Sequence, residues 1–111
     1  MVVSLDPASR SKAEDHAKRD APLEACGLLV TINGEQIYCP CQNLCDEPDQ
    51  HFVMDPRDYY RASLNGKIIA IIHSHPKGQD SSGLDRMACT QSNVPWLIYQ
   101  LPQDQWLTIE P

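Results

Sequence analysis

Residues 68–85, IIAIIHSHPKGQDSSGLD, decide how the fold is read. Ile68 to Ile72 are apolar without interruption, the pattern of a buried strand rather than a half-exposed one. The run then breaks into His73, Ser74, His75 and Pro76. Successive strand side chains alternate faces, so His73 and His75 point the same way, with both rings in reach of one ion. Two imidazoles need a further ligand to hold zinc, and a catalytic zinc keeps a fourth position for water. Asp85 is the candidate. With a turn over 76–81 and Ser82 opening the next helix, Asp85 falls in a first helical turn that can face the strand end, and a carboxylate on a rigid element is preorganised. Asp80, nearer in sequence but within the turn, is its competitor.

Each of these residues also has an ordinary role. Ser82-x-x-Asp85 fits a helix capping box, and a histidine at a strand end commonly serves only as a polar terminus. Cys39, Cys41 and Cys45 form a rival metal group, because C-x-C places two thiols on one strand face. That group lacks a second C-x-x-C pair, and cysteine is often buried as a small hydrophobe. Cys26 and Cys89 read as core residues, and a cysteine nucleophile beside His73 or His75 has no local signature. Trp96, Trp106 and the tyrosines read as core and rim.

Working outward, residues 7–20 form a polar first helix, with Pro7 and Ser9 at its start and Pro22 beyond its end. CGLLVTI (26–32) and EQIYCPC (35–41) flank Asn33-Gly34, a hairpin signal. HFVM (51–54) reads as a short strand. Asp55 then caps a helix that starts at Pro56 and closes at Gly66. The apolar strand spans 67–73, a short helix runs from about Gly83 to Ser92, and WLIYQL (96–101) and WLTIEP (106–111) supply two more strands. The expectation is a single α/β domain over 1–111, a mixed sheet flanked by helices.

The 111 residues suffice for one core. A net charge of −6, from 9 basic and 15 acidic residues, with the basic ones scattered, argues against nucleic-acid binding. No apolar run approaches the roughly 20 residues of a membrane span. Five cysteines fit a closed disulfide framework poorly and a reducing compartment better. MVVSLDPASR lacks the basic-then-apolar layout of a secretory signal, so a cytoplasmic location is expected.

HSHP, SGLD and the upstream EACG together resemble the JAMM/MPN family of zinc metallopeptidases, whose pattern is Glu, then His-x-His, then Ser-x-x-Asp. APLEACGLLV, VMDPRDYYRA, IIAIIHSHP and LDRMACTQSNVPWLIY are similar, in the same order, to segments of its phage tail-assembly branch. The resemblance implies a cytidine-deaminase-like architecture and a zinc ion held by His73, His75 and Asp85, with water in the fourth place. It further implies that Glu24 is the general base and proton shuttle and that Ser82 donates to the oxyanion. Without it, Glu24 would be read as a solvated loop carboxylate. The turn departs from the family pattern: it is shorter, and Ser81 stands where proline is common. The activity implied is amide hydrolysis on a peptide or protein tail lying along a sheet edge, serving phage tail components or a ubiquitin-like partner. The alternative is a non-catalytic MPN-type interaction or tail-assembly module.

Overall fold

The computed structural model describes residues 3–78 and 80–111. Gln79 of the turn expected over 76–81, and Met1 and Val2 of the N-terminal stretch, lie outside the described residues. Helix α1 covers Pro7–Asp20, and its N-cap is Asp6, whose side chain accepts from the Ser9 N–H. Lys18 and Arg19 in its last turn face the negative end of the helix dipole. Strands β1 (Cys26–Ile32) and β2 (Glu35–Cys41) follow as expected. Asn33 and Gly34 both have positive φ, 51° and 82°, the signature of a type I′ turn whose twist matches the strands it joins.

Helix α2 (Pro56–Asn65) starts on Asp55, whose carboxylate accepts from the Arg57 N–H. Strand β3 runs over Lys67–His75, two residues beyond the expected end at His73, so both histidines belong to the strand. Helix α3 covers Gly83–Ser92, and strands β4 (Trp96–Gln100) and β5 (Gln105–Ile109) complete the chain. The sheet order is β2-β1-β3-β4-β5. β3 is therefore the central strand, antiparallel to β1 and parallel to β4, with α3 as the crossover.

One expectation is corrected. Residues 51–54 form no sheet strand; only Met54 makes an isolated bridge, to Asn43. Backbone pairing is confined to that bridge, with Leu44 N–H donating to the Val53 carbonyl and Asp55 N–H to the Gln42 carbonyl, while the Asn43 side chain donates to the His51 carbonyl and accepts from the Val53 and Cys45 N–H groups. A short polar side chain of this kind competes with ladder pairing, and the segment stays a loop.

α1 and α2 cover opposite faces of the sheet. On one, Ala13 packs with Leu29, Tyr38, Ala70, Ile72 and Leu97. On the other, Ala62 packs with Cys26, Leu28, Val30 and Cys41. Leu28 and Leu29 are fully buried on opposite faces, each contributing about 1.5–3 kcal/mol through the apolar area it removes from water. Among the described residues no helix is long and apolar enough to cross a membrane.

Candidate metal centre

The central strand delivers the histidines. His73 and His75 continue the face begun by Ile71, are almost wholly buried, and bring their Nε2 atoms to 3.2 Å from one another. Phe52, from the loop expected to be a strand, stacks on the His73 ring at 4.5 Å, and Trp96 of β4 meets that ring edge-on at 5.2 Å. His73 Nδ1 has no hydrogen-bond partner, so aromatic packing rather than a polar contact at that nitrogen fixes the ring. Burial holds His73 below the usual histidine pKa, against the opposing pull of the Asp85 carboxylate.

The turn delivers Asp85 despite its short length. Asp85 Oδ1 lies 3.6 Å from His73 Nε2, and Oδ2 lies 3.4 Å from His75 Nε2. Burial pushes the Asp85 pKa up, but hydrogen bonds to His73 and His75 outweigh it and hold the carboxyl well below the usual range. Asp80 is exposed and its carboxylate accepts from the Ser81 N–H instead.

Glu24 approaches from the neighbouring strand's start. Cys26 pairs with His73 across the β1–β3 ladder, which carries the preceding residues alongside the histidines. A Glu24 carboxylate oxygen and one ring nitrogen from each histidine all lie within 4.8 Å of one another. Glu24 is 3% exposed, so the reading of a solvated loop residue is wrong: folding buries it. That burial pushes its pKa up to about 7, against the attraction of His75 and with the repulsion of Asp85.

The backbone around Glu24 is tied on both sides. Its N–H donates to the Pro48 carbonyl, and its own carbonyl accepts from Asn43 Nδ2. Ser74, between the histidines and facing the other way, accepts from the Ala25 N–H at 2.8 Å and donates its own N–H to the Ala25 carbonyl at 2.9 Å. Sequence reasoning missed Ser74, Asn43 and Phe52. Only Ser74 left a signal there: strand alternation puts a hydroxyl on a buried face, where it needs a partner.

Ser82 realises the capping box. Its Oγ accepts from the Asp85 N–H and its N–H donates to Asp85 Oδ2, each at 3.0 Å. It nevertheless lines the same cavity, of about 390 Å³, as Glu24, His75 and Asp85. The cysteines take no part. Cys26, Cys41 and Cys89 are buried, all five are free, and burial pushes the Cys26 and Cys41 thiols up to about 12. Among the described residues, the group whose ligand atoms all lie close enough together to hold a metal is Glu24, His73 and His75; it contains neither Asp85 nor a cysteine.

The family model described as prokaryotic homologs of the JAB domain matches residues 7–107. Tail tip assembly protein K of Escherichia phage N15 is 38% identical over 97 residues, which are 86% of this chain and 40% of that protein. Its counterpart in Escherichia phage lambda is 43% identical over 46 residues, 40% of this chain and 23% of the relative. The chain thus spans well under half the length of either. The solution structure of a Desulfitobacterium hafniense protein matches with a TM-score of 0.78 and 27% identity, covering 96% of this chain and 81% of that one. A JAB1/MPN domain protein from Archaeoglobus fulgidus shares the fold, with a TM-score of 0.58 and 19% identity over 92% of this chain and 82% of its own.

Proposed function

Because the chain belongs to the family of prokaryotic JAB-domain homologues, we propose that it is a zinc-dependent peptidase or isopeptidase that hydrolyses an amide without a covalent enzyme intermediate. One observation carries the reading: two histidine Nε2 atoms and the Asp85 carboxylate converge, with a buried Glu24 of pKa about 7 beside them. The donors fit the ion. Imidazole nitrogen and carboxylate oxygen are ordinary zinc ligands; the two Nε2 atoms stand 3.2 Å apart, and the two Asp85 oxygens face one histidine each, Oδ1 at 3.6 Å from His73 and Oδ2 at 3.4 Å from His75.

His73, His75 and Asp85 would hold the zinc. When bound, it supplies a Lewis acid that polarises the amide carbonyl and lowers the pKa of a water from ~16 toward ~7. Glu24 takes a proton from the attacking water and returns it to the leaving amine, a task suited to a carboxyl whose pKa lies near neutrality. Asp85, with its charge fixed by its neighbours, is the better ligand and the poorer base. The Ser82 Oγ–H donates to the amide oxygen as that oxygen gains charge, while the same oxygen atom accepts from the Asp85 N–H.

Phage tail components are the favoured partners over a ubiquitin-like protein, because tail tip assembly proteins are among the chain's relatives. The second reading, a non-catalytic assembly module, draws on the capping box, which alone gives Ser82 and Asp85 a structural purpose. Zinc content separates the two. Protein purified without a metal-binding tag is expected to carry close to one zinc per chain, with sharp loss in Asp85→Ala and retention in Glu24→Gln. Wild type that takes up none even after refolding with zinc would favour the module, and zinc lost from Glu24→Gln but kept by Asp85→Ala would exchange the two carboxylate roles.

A further inference from the structure

We propose that the cavity beside the histidine pair includes an apolar subsite for a large aliphatic or aromatic side chain next to the bond that is cut, so that a glycine-rich tail is a poor substrate. The cavity lining combines polar side chains, Asp80, Ser82 and the candidate site residues among them, with the apolar Phe52, Leu84, Ala88 and Trp96. Phe52 and Trp96 are held against each other at 5.5 Å, and both pack on His73. The indole N–H of Trp96 is satisfied by Ser92 Oγ at 3.0 Å, so its polar edge makes no demand on a ligand.

Leu84 stands at the mouth, in the first turn of α3, immediately before Asp85. It is 66% exposed. Met87, three residues further along the helix, is also exposed, at 59%. A single exposed leucine is ordinary; this one lines the same cavity as Phe52, Trp96 and the candidate site residues. A concave apolar wall with a few convergent polar groups is the usual form of a side-chain or ligand pocket, and about 390 Å³ falls within its ordinary size range. A substrate without a side chain would leave that wall wet.

The rate consequence rests on the peptidase reading, whereas the binding consequence does not, and two measurements keep them apart. Zinc-loaded full chain is given matched fluorogenic peptides that differ only in leucine or glycine on either side of the scissile bond. The leucine peptide is expected to show at least a tenfold higher kcat/KM, an advantage mostly lost in Leu84→Asp and Leu84→Gln, whose exposed position spares the fold. In parallel, N-acetyl-leucinamide, but not N-acetyl-glycinamide, is expected to shift the NMR signals of the Ala88 methyl and the Trp96 indole. Equal cleavage of both peptides, or leucinamide that leaves those signals unmoved, overturns the subsite. Leucinamide binding with neither peptide cut upholds the subsite and counts against the peptidase.

Discussion

Burying Glu24 costs the fold stability as pH rises. Burial raises its pKa from 4.5 to about 7, so the folded metal-free protein binds a proton that the unfolded chain releases. Its favourable contribution is full below pH 4.5 and is lost as pH rises through about 7, by roughly 3 kcal/mol in all. Metal-free Glu24→Gln should therefore be more stable than wild type at pH 8 and nearly equal to it at pH 4, a difference chemical denaturation would measure. The same variant, loaded with zinc, should lose about 10²–10⁴ in amide hydrolysis rate. Unimpaired turnover would remove Glu24 from the mechanism. Gly27, three residues on, has a different constraint: a Cβ there would collide with the Tyr38 ring. That ring is buried and anchored by a 2.7 Å bond to His16 Nδ1, so it has little freedom to retreat. Gly27→Ala should cost about 1–3 kcal/mol of unfolding free energy as overpacking.

At the start of helix α3 the cap and the proposed metal ligand share one device. Ser82 and Asp85 cap each other across its first turn, and the same bonds aim the Asp85 carboxylate at the histidines. Ser82→Ala should lower stability by about 0.5–2 kcal/mol through the lost cap. If Ser82 also donates to the oxyanion, turnover should fall about 10²–10³-fold with zinc content preserved; a stability loss with unchanged turnover would leave it a cap alone. Helix α1 carries a pH-sensitive contact of opposite sign. His16 lies between the Tyr38 hydroxyl and Asp20 Oδ2, which suits a neutral ring accepting from the tyrosine and donating to the carboxylate. Burial lowers its pKa below 6.5. Its contribution is therefore present above pH 6.5 and is lost as pH falls through the lower folded value. His16→Gln should flatten the decline in stability between pH 7 and pH 5 relative to wild type.

Over the whole molecule, a ligand that binds only the folded state adds to stability through mass action. Zinc at a thousandfold excess over its dissociation constant should add about 4 kcal/mol and raise Tm, and a chelator should reverse the rise. Asp85→Ala should abolish the response. The element pattern behind this site was legible without tertiary structure, because it depends on neighbours in sequence. Asn33-Gly34 sets its turn through backbone sterics, Asp55-Pro56 starts a helix through capping and a fixed φ, and His-x-His shares a face through the two-residue strand repeat. These local rules, with the resemblance they carried, determined the α/β class and brought His73, His75 and Asp85 forward together. The loop at 51–54 was misread because its decisive partner, the side chain of Asn43, is eight or more residues away. What only the folded chain decided is the environment of Glu24: its burial, its raised pKa and its nearness to the histidines follow from β1 lying beside β3 and from Ser74 bonding Ala25, 49 residues earlier in sequence. Desolvation and charge act through space, and the space around a side chain is fixed only when distant strands meet.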